Sequence, residues 1–191
     1  MNSQTLLPAL RFSLLFLFVC GIVYPVATTL VNGAIFFPSQ ARGSIIVQNG
    51  QNVGSSLIGQ PFSGEQYLIG RPSAAGSGYD PMAVSDSNLA PSNPALRARA
   101  EATSGEIVAR ENISANQIPV ELLAASGSGV DPHISPASAQ IQLARIARVR
   151  GISEVAVREI VQKHTEGKTL GLGAARVNVL AVNLELDGLS R

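Results

Sequence analysis

The chain has 191 residues and a formal net charge of +1, from 14 basic and 13 acidic side chains. That balance excludes a strong global field for nucleic acid or an acidic ligand. The single cysteine, Cys20, excludes an intrachain disulfide and a cysteine-based metal centre, and only two histidines, His133 and His164, argue against a histidine metal site.

From Phe12 to Ala41 no side chain is charged. A helix over residues 12–37 spans the roughly 30 Å hydrocarbon core with some tilt. A cleaved signal peptide is the rival reading, but only Arg11 supplies a basic flank, and apolar residues resume at Leu30, Val31 and Ile35 beyond the point where cleavage would fall. Arg11 before the span and Arg42 after it lean to a cytoplasmic N-terminus. Gly21, Ala27, Thr28, Thr29 and Gly33 offer places for close helix contact, and Pro25 a kink.

Beyond Ala41 the composition is that of one modest globular domain. Ile45-Ile46-Val47 and Leu57-Ile58, separated by turn residues, read as strands, and Tyr67-Leu68-Ile69 as a further one. Residues 71–94 form a long loop, and a loop of that length is expected to be an ordered interaction element. A helix is predicted over Pro94 to Glu111, with Asn93 as its cap, and a shorter one over Pro119 to Ala125. Ser135 to Arg150 reads as one helix with Ser135 as cap and Gly151 as terminator, and Ser153 starts another. For Val177 to Leu186 alternation suits a strand and the spacing of Val177, Leu180, Ala181 and Leu184 suits a helix; helix is preferred.

Candidate chemistry is thin. Gly167-Lys168-Thr169 has the ending of a phosphate-binding loop, but Gln162 stands where its first glycine belongs. Ser128, Asp131 and His133 are a nucleophile, acid and base on one tight loop, where neighbours do not reach triad geometry; Ser128 lacks a nucleophile elbow. Catalytic residues and metal ligands are therefore expected to be absent. A sharper alternative is a membrane-anchored helix-turn-helix regulator: Ala147, Gly151 and Val157 have that rhythm, with local charge from Arg145, Arg148, Arg150 and Arg158. Structural helices remain the preferred reading, because a neutral tethered chain needs more than this to hold DNA.

Several blocks in order along nearly the whole chain carry a family resemblance: Tyr24-Pro25 in the span, Gly70-Arg71-Pro72-Ser73, Ser87-Asn88-Leu89, Pro91-Ser92-Asn93-Pro94, the run Ala125 to Ser135, and Arg176 to Leu180. The sequence resembles the C subunit of the Kdp potassium-transporting P-type ATPase. The resemblance implies a non-catalytic accessory subunit of a bacterial inner-membrane complex that takes up potassium at the expense of ATP. Its partners would be the channel-like A subunit, the ATP-hydrolysing B subunit, the small F subunit and membrane lipid, with no nucleic acid. It implies a short cytoplasmic segment at residues 1–11, a span over 12–37, and one α+β periplasmic domain over 38–191, a small sheet packed with several helices.

The family is described as a catalytic chaperone that raises the ATP affinity of the hydrolysing subunit through a glycine-rich element, here matched at Ser87, Asn88 and Leu89. Ser85, Asp86 and Ala90 replace its glycines, which disfavours close backbone approach to phosphate. No cofactor is therefore expected on this chain alone, and ATP would be associated only within the complex. Ser126, Gly127, Gly129, Asp131, Pro132 and His133 are the candidate docking or structural motif, and Gly21, Tyr24, Pro25 and Gly33 the candidate membrane packing face. One span encloses no potassium pathway, and the Asp-Lys-Thr-Gly motif of P-type pumps is absent.

Overall fold

Apolar composition favours helix in the N-terminal segment. In the computed structural model, which describes residues 3–168 and 172–189, α1 (Ser3–Phe18) runs into a widened, π-type stretch at Val19–Val23, then α2 (Tyr24–Leu30), a second such stretch at Val31–Phe36, and the short α3 (Pro38–Ala41). The continuous membrane-length helix is Leu6–Phe36, 31 residues. It begins before Phe12 because Leu6, Leu7 and Leu10 extend the apolar run past Arg11. Pro25 has no N–H to donate to the carbonyl one turn back at Gly21, and the first widened stretch sits at that missing bond. Further along, Thr28 turns its hydroxyl onto the carbonyls of Tyr24 and Pro25, and Asn32 its amide onto Thr28.

The chain divides into two units, the first ending at Val53 and the second starting at Gly54. β1 (Ile45–Gln48) and β2 (Gln51–Ser55) form a two-stranded sheet around Asn49-Gly50, both at positive φ, as a tight hairpin turn demands. The predicted strand at Leu57-Ile58 does not form.

In the second unit, α4 (Pro94–Glu111) has the predicted bounds, and the Asn93 side chain accepts from the Ala95 N–H. The helix expected at Pro119 to Ala125 shrinks to a single 3-10 turn, Val120–Leu122. β3 (His133–Ile134) is followed by α5 (Pro136–Gln140), capped by Ser135, and α6 (Leu143–Arg150), ended by Gly151 in the left-handed region. The one helix predicted from Ser135 to Arg150 is thus broken at Ile141 and Gln142. α7 (Glu154–Lys163) starts at the predicted Ser153 cap. Then come β4 (Thr165–Glu166), β5 (Arg176–Asn178) and α8 (Val179–Gly188). Residues 177–186 are therefore strand and helix in turn. Asn178 ends one and caps the other by accepting from the Ala181 N–H.

The second sheet has the order β3-β5-β4, all antiparallel, with His133 opposite Asn178 and Thr165 opposite Val177. Ile134, Leu143, Ile146, Val157, Val177, Val182 and Leu186 make the buried core between this sheet and the helices. Tyr67-Leu68-Ile69 forms no strand. Leu68 is nevertheless fully buried, because two side-chain amides replace a strand neighbour. Asn183 accepts from the Leu68 N–H at 2.7 Å and donates to its carbonyl at 2.9 Å. Gln142 does the same for Ile69, at 2.9 and 3.0 Å.

Candidate functional site

Two sequence blocks that lie more than fifty residues apart, Gly70 to Ser73 and Ala125 to Ser135, are joined by hydrogen bonds. Ser126 donates its N–H to the Pro72 carbonyl at 3.0 Å, and the Ser73 hydroxyl donates to the Gly129 carbonyl while accepting from the N–H groups of Ala75 and Tyr79. The same hydroxyl therefore fixes the start of the 71–94 loop, which is ordered by turns rather than by regular elements. Arg71 crosses between the blocks, with Nη1 3.1 Å from Asp131 Oδ2 and Nη2 reaching the Ala125 carbonyl. Asp131 Oδ1 accepts from the His133 N–H at 3.0 Å, a local turn that Pro132 stiffens. The Val179 N–H donates to the Pro132 carbonyl, tying the loop to α8.

Gly129 lies at φ +74, and a Cβ there would meet Ala75 Cβ and the Ser85 carbonyl, each at 2.6 Å. Neither the dihedral nor the space tolerates a side chain. Gly59, which sequence reasoning missed, plays a matching part. Its N–H donates to the Val130 carbonyl at 2.7 Å, and a Cβ would fall 2.5 Å from the Asp131 carbonyl. Only the Gly-Gln-Pro turn signal pointed to this position. By contrast Gly127 and Ser128 are exposed, and nothing lies within 4 Å of a Cβ at Gly127. The motif thus has a buried side of Ser126, Gly129 and Pro132, and an exposed rim.

Beside it lies a cleft of about 330 Å³ whose polar lining includes Arg71, Glu121, Asp131, His133, Ser135 and Arg176. Burial lowers the pKa of the His133 imidazole, against the pull of Asp131. Burial also pushes the Tyr79 phenol up to about 12, aided by Asp131 and opposed by Arg71, and its hydroxyl donates to the Arg71 carbonyl. Glu121 stays below the usual glutamate value: burial works to raise it, but hydrogen bonds from Ser138 and Ser135 outweigh that. Of the imagined triad, Ser128 Oγ accepts from the Val130 N–H, and His133 Nδ1 stands 3.7 Å from Asp131 Oδ1.

The ATP-linked positions Ser87, Asn88 and Leu89 lie on an irregular stretch in which Asn88 adopts φ +48. Asp86 accepts from the Ser87 N–H at 2.6 Å. The carboxylate that would repel a phosphate thus also occupies a backbone donor that a phosphate would use. Gly21, Tyr24, Pro25 and Gly33 are exposed or half-buried along the membrane-length helix, Gly21 within the first widened stretch and Gly33 within the second. Gly167 and Lys168 are exposed after β4; Thr169 lies outside the described residues.

Among the described residues, two of the four arginines that suggested DNA binding are committed inside the domain. Arg145 has its side chain only 1% exposed and binds Glu111 at 2.9 Å, Gln142, and the carbonyls of Glu65 and Tyr67. Arg150 lies over the Tyr67 ring and binds Asp187 and the carbonyls of Gln66 and Leu186. Arg158 pairs with Glu154. Arg148 and Arg158 remain on the surface, but Arg145 and Arg150 are committed to tying segments of the domain together, so the helix-turn-helix reading is corrected.

Residues 6–188 match the family described as "KdpC: K+-transporting ATPase, c chain". The chain belongs to the KdpC family. It is 51% identical over 191 residues to the "Potassium-transporting ATPase KdpC subunit" of Shewanella putrefaciens, covering 100% of this chain and 94% of that protein. The subunit of the same description from Trichlorobacter lovleyi is 48% identical over 188 residues, with 96% and 97% covered. That from Sorangium cellulosum is 48% identical over 183 residues, with 95% and 96% covered. KdpC character therefore extends over both units. One apolar N-terminal helix followed by a domain of small sheets and several helices is the architecture that carries it.

Proposed function

We propose that this KdpC chain is a non-catalytic accessory subunit of a high-affinity, ATP-driven potassium uptake complex in a bacterial inner membrane. Its N-terminus (residues 1–11) lies in the cytoplasm, residues 12–37 cross the lipid, and residues 38–191 form a periplasmic domain. Its partners are the channel-like A subunit, the ATP-hydrolysing B subunit and the small F subunit. What carries this reading is the match over residues 6–188 to a subunit family named for a potassium-transporting ATPase, in a chain whose described residues hold one membrane-length helix.

The helix anchors and docks, with Gly21, Tyr24, Pro25 and Gly33 on its packing face against membrane helices of the A subunit. The outer domain stabilises the assembly, and its Ser126 to His133 loop supplies the docking rim. The family's effect on ATP affinity is exerted indirectly, because a domain outside the membrane does not reach ATP bound in the cytoplasm. It stabilises one state of the pump over another, and ATP binds that state better. The exposed rim at Gly127 and Ser128 and the blocked backbone at Ser87 favour this indirect route over direct nucleotide contact.

The decisive experiment deletes residues 43–191 and measures subunit co-purification, potassium affinity and the ATP dependence of hydrolysis in the whole complex. A disrupted complex, or one with weakened ATP affinity, is expected. An intact complex with both affinities unchanged would refute the assignment.

A further inference from the structure

The connection between the membrane-length helix and the first strand is short and ordered. Ala41 packs on Gly33, where a Cβ would stand 3.4 Å from the Ala41 methyl. The N–H groups of Ala41, Gly43 and Ser44 donate to the carbonyls of Phe37, Gln40 and Ser39, each at 2.9 Å, so the chain folds back on the end of the helix. From Ala41 to Ile45 there remain four residues, at most about 14 Å of extended chain. The start of the β1-β2 hairpin is therefore held beside the last turns of the span, at the membrane surface.

Strand alternation puts Ile45 and Val47 on one face of β1, where they are 49% and 59% exposed, while Ile46 on the opposite face is half-buried. Among the described residues this sheet has two strands and no third neighbour. A two-stranded ribbon is marginal in water unless its apolar face is covered. Between Arg42 and Glu65 the sequence holds no charged residue. Depletion of charge around exposed aliphatic side chains marks the core of a protein interface. An element that lies on lipid instead carries basic and aromatic residues, and residues 43–55 contain neither.

We propose that the Ile45 and Val47 face of the hairpin docks on an uncharged, apolar segment at the outer surface of the A subunit, which rests on the reading that the span packs against that same subunit. The two contacts complement each other physically. Within the bilayer, helices gain little from apolar burial because lipid is equally apolar, whereas just outside it water drives the aliphatic face onto its partner. An extended partner segment would also give the hairpin the strand neighbour it lacks.

The test uses the whole complex in native membranes. With p-benzoylphenylalanine in place of Val47, illumination is expected to yield a covalent adduct with the A subunit, and the same probe in place of Tyr24 reports the packing of the span. Capture of the A subunit from Tyr24, while Val47 captures only lipid, a second copy of this chain or nothing, would overturn the inference and leave the reading of the span standing. Capture from neither position would overturn both. Val47→Lys would bury an unpaired charge, so it is expected to cut the amount of this chain recovered with the A subunit roughly tenfold, with the thermal midpoint of the full chain alone in detergent unchanged. Recovery equal to that of the parent would also overturn the inference. Should Val47→Lys lower the midpoint itself, the adduct from Val47 decides the matter.

Discussion

Replacing Arg145 by leucine removes the largest fully buried side chain among the described residues of the second unit. Arg145 joins three segments, since it binds Glu111 at the end of α4, Gln142 just before α6, and the carbonyls of Glu65 and Tyr67. Burial lowers its pKa despite the hydrogen bond and charge of Glu111, so desolvation outweighs the attraction between the pair. The pair is therefore a poor net stabiliser, yet a strong destabiliser when half removed. Breaking a buried pair costs about 3–5 kcal/mol. Glu111 would retain Arg110, which favours the lower end, but the Glu65 and Tyr67 carbonyls would lose their donor, which adds to it. A loss of about 4 kcal/mol follows, or a fall of roughly 10 °C in midpoint for a domain of this size. Thermal melts of the full chain in detergent, followed by far-ultraviolet circular dichroism, measure it. The double variant Glu111→Leu/Arg145→Leu is expected to recover about half of the loss, because no carboxylate is then left buried beside leucine. A single variant that loses under about 1 kcal/mol, or a double variant less stable than the single, would refute this account.

The buried and exposed sides of the Ser126 to His133 loop separate by mutation. Gly129→Ala is expected to destabilise by about 3 kcal/mol, from its positive φ and the 2.6 Å approaches, whereas Gly127→Ala stays within about 0.5 kcal/mol on the same melts. Gly127→Glu is expected to keep the midpoint but weaken retention in the purified complex, and unchanged retention would remove the docking role of the rim. His133 makes stability depend on pH. Its pKa is lower folded than unfolded, so its contribution is complete above about pH 6.5 and is lost as pH falls through the folded value. His133→Gln should flatten that decline in pH-dependent melts. The decline owed to Glu121 and Glu185 should remain, because both are held below 4.5 and act only in stronger acid. Placing a cysteine at exposed Ser77 tests topology: a membrane-impermeant maleimide should label Ser77→Cys in intact spheroplasts, and labelling only after lysis would reverse the orientation.

Local chemistry was legible wherever the sequence neighbours decide the outcome. Asn93, Ser135 and Ser153 cap helices because each needs only an N–H two or three residues on, and Gly151 ends α6 in the left-handed region. What depends on distant partners was not legible. Tyr67-Leu68-Ile69 has strand composition, but its backbone is satisfied by Gln142 and Asn183, and nothing near residue 68 signals that. The break between α5 and α6 falls at Gln142 for a related reason, since this side chain is committed to Ile69. The Arg71 to Asp131 bridge joins motifs that sequence could quote side by side but not connect. The charge pattern of Arg145 and Arg150 misled because arginine on an amphipathic helix reads as surface, and its burial depends on a carboxylate 34 residues away for Arg145 and 37 away for Arg150.

The amide clasp on Leu68 also sets an order of assembly. Asn183 sits 115 residues after the segment it holds, so during synthesis Leu68 waits for nearly the whole domain to emerge. The sheet cannot substitute for it, because β5 and α8 are themselves the last elements made. A ribosome that stops short of residue 183 therefore releases a chain whose most buried early leucine has neither its hydrogen bonds nor its helical cover. Such a product is expected to be cut more readily around Leu68 than a chain that carries α8. The helix α8 thus closes the domain over the Leu68 segment, whose backbone is paired only once residue 183 is in place.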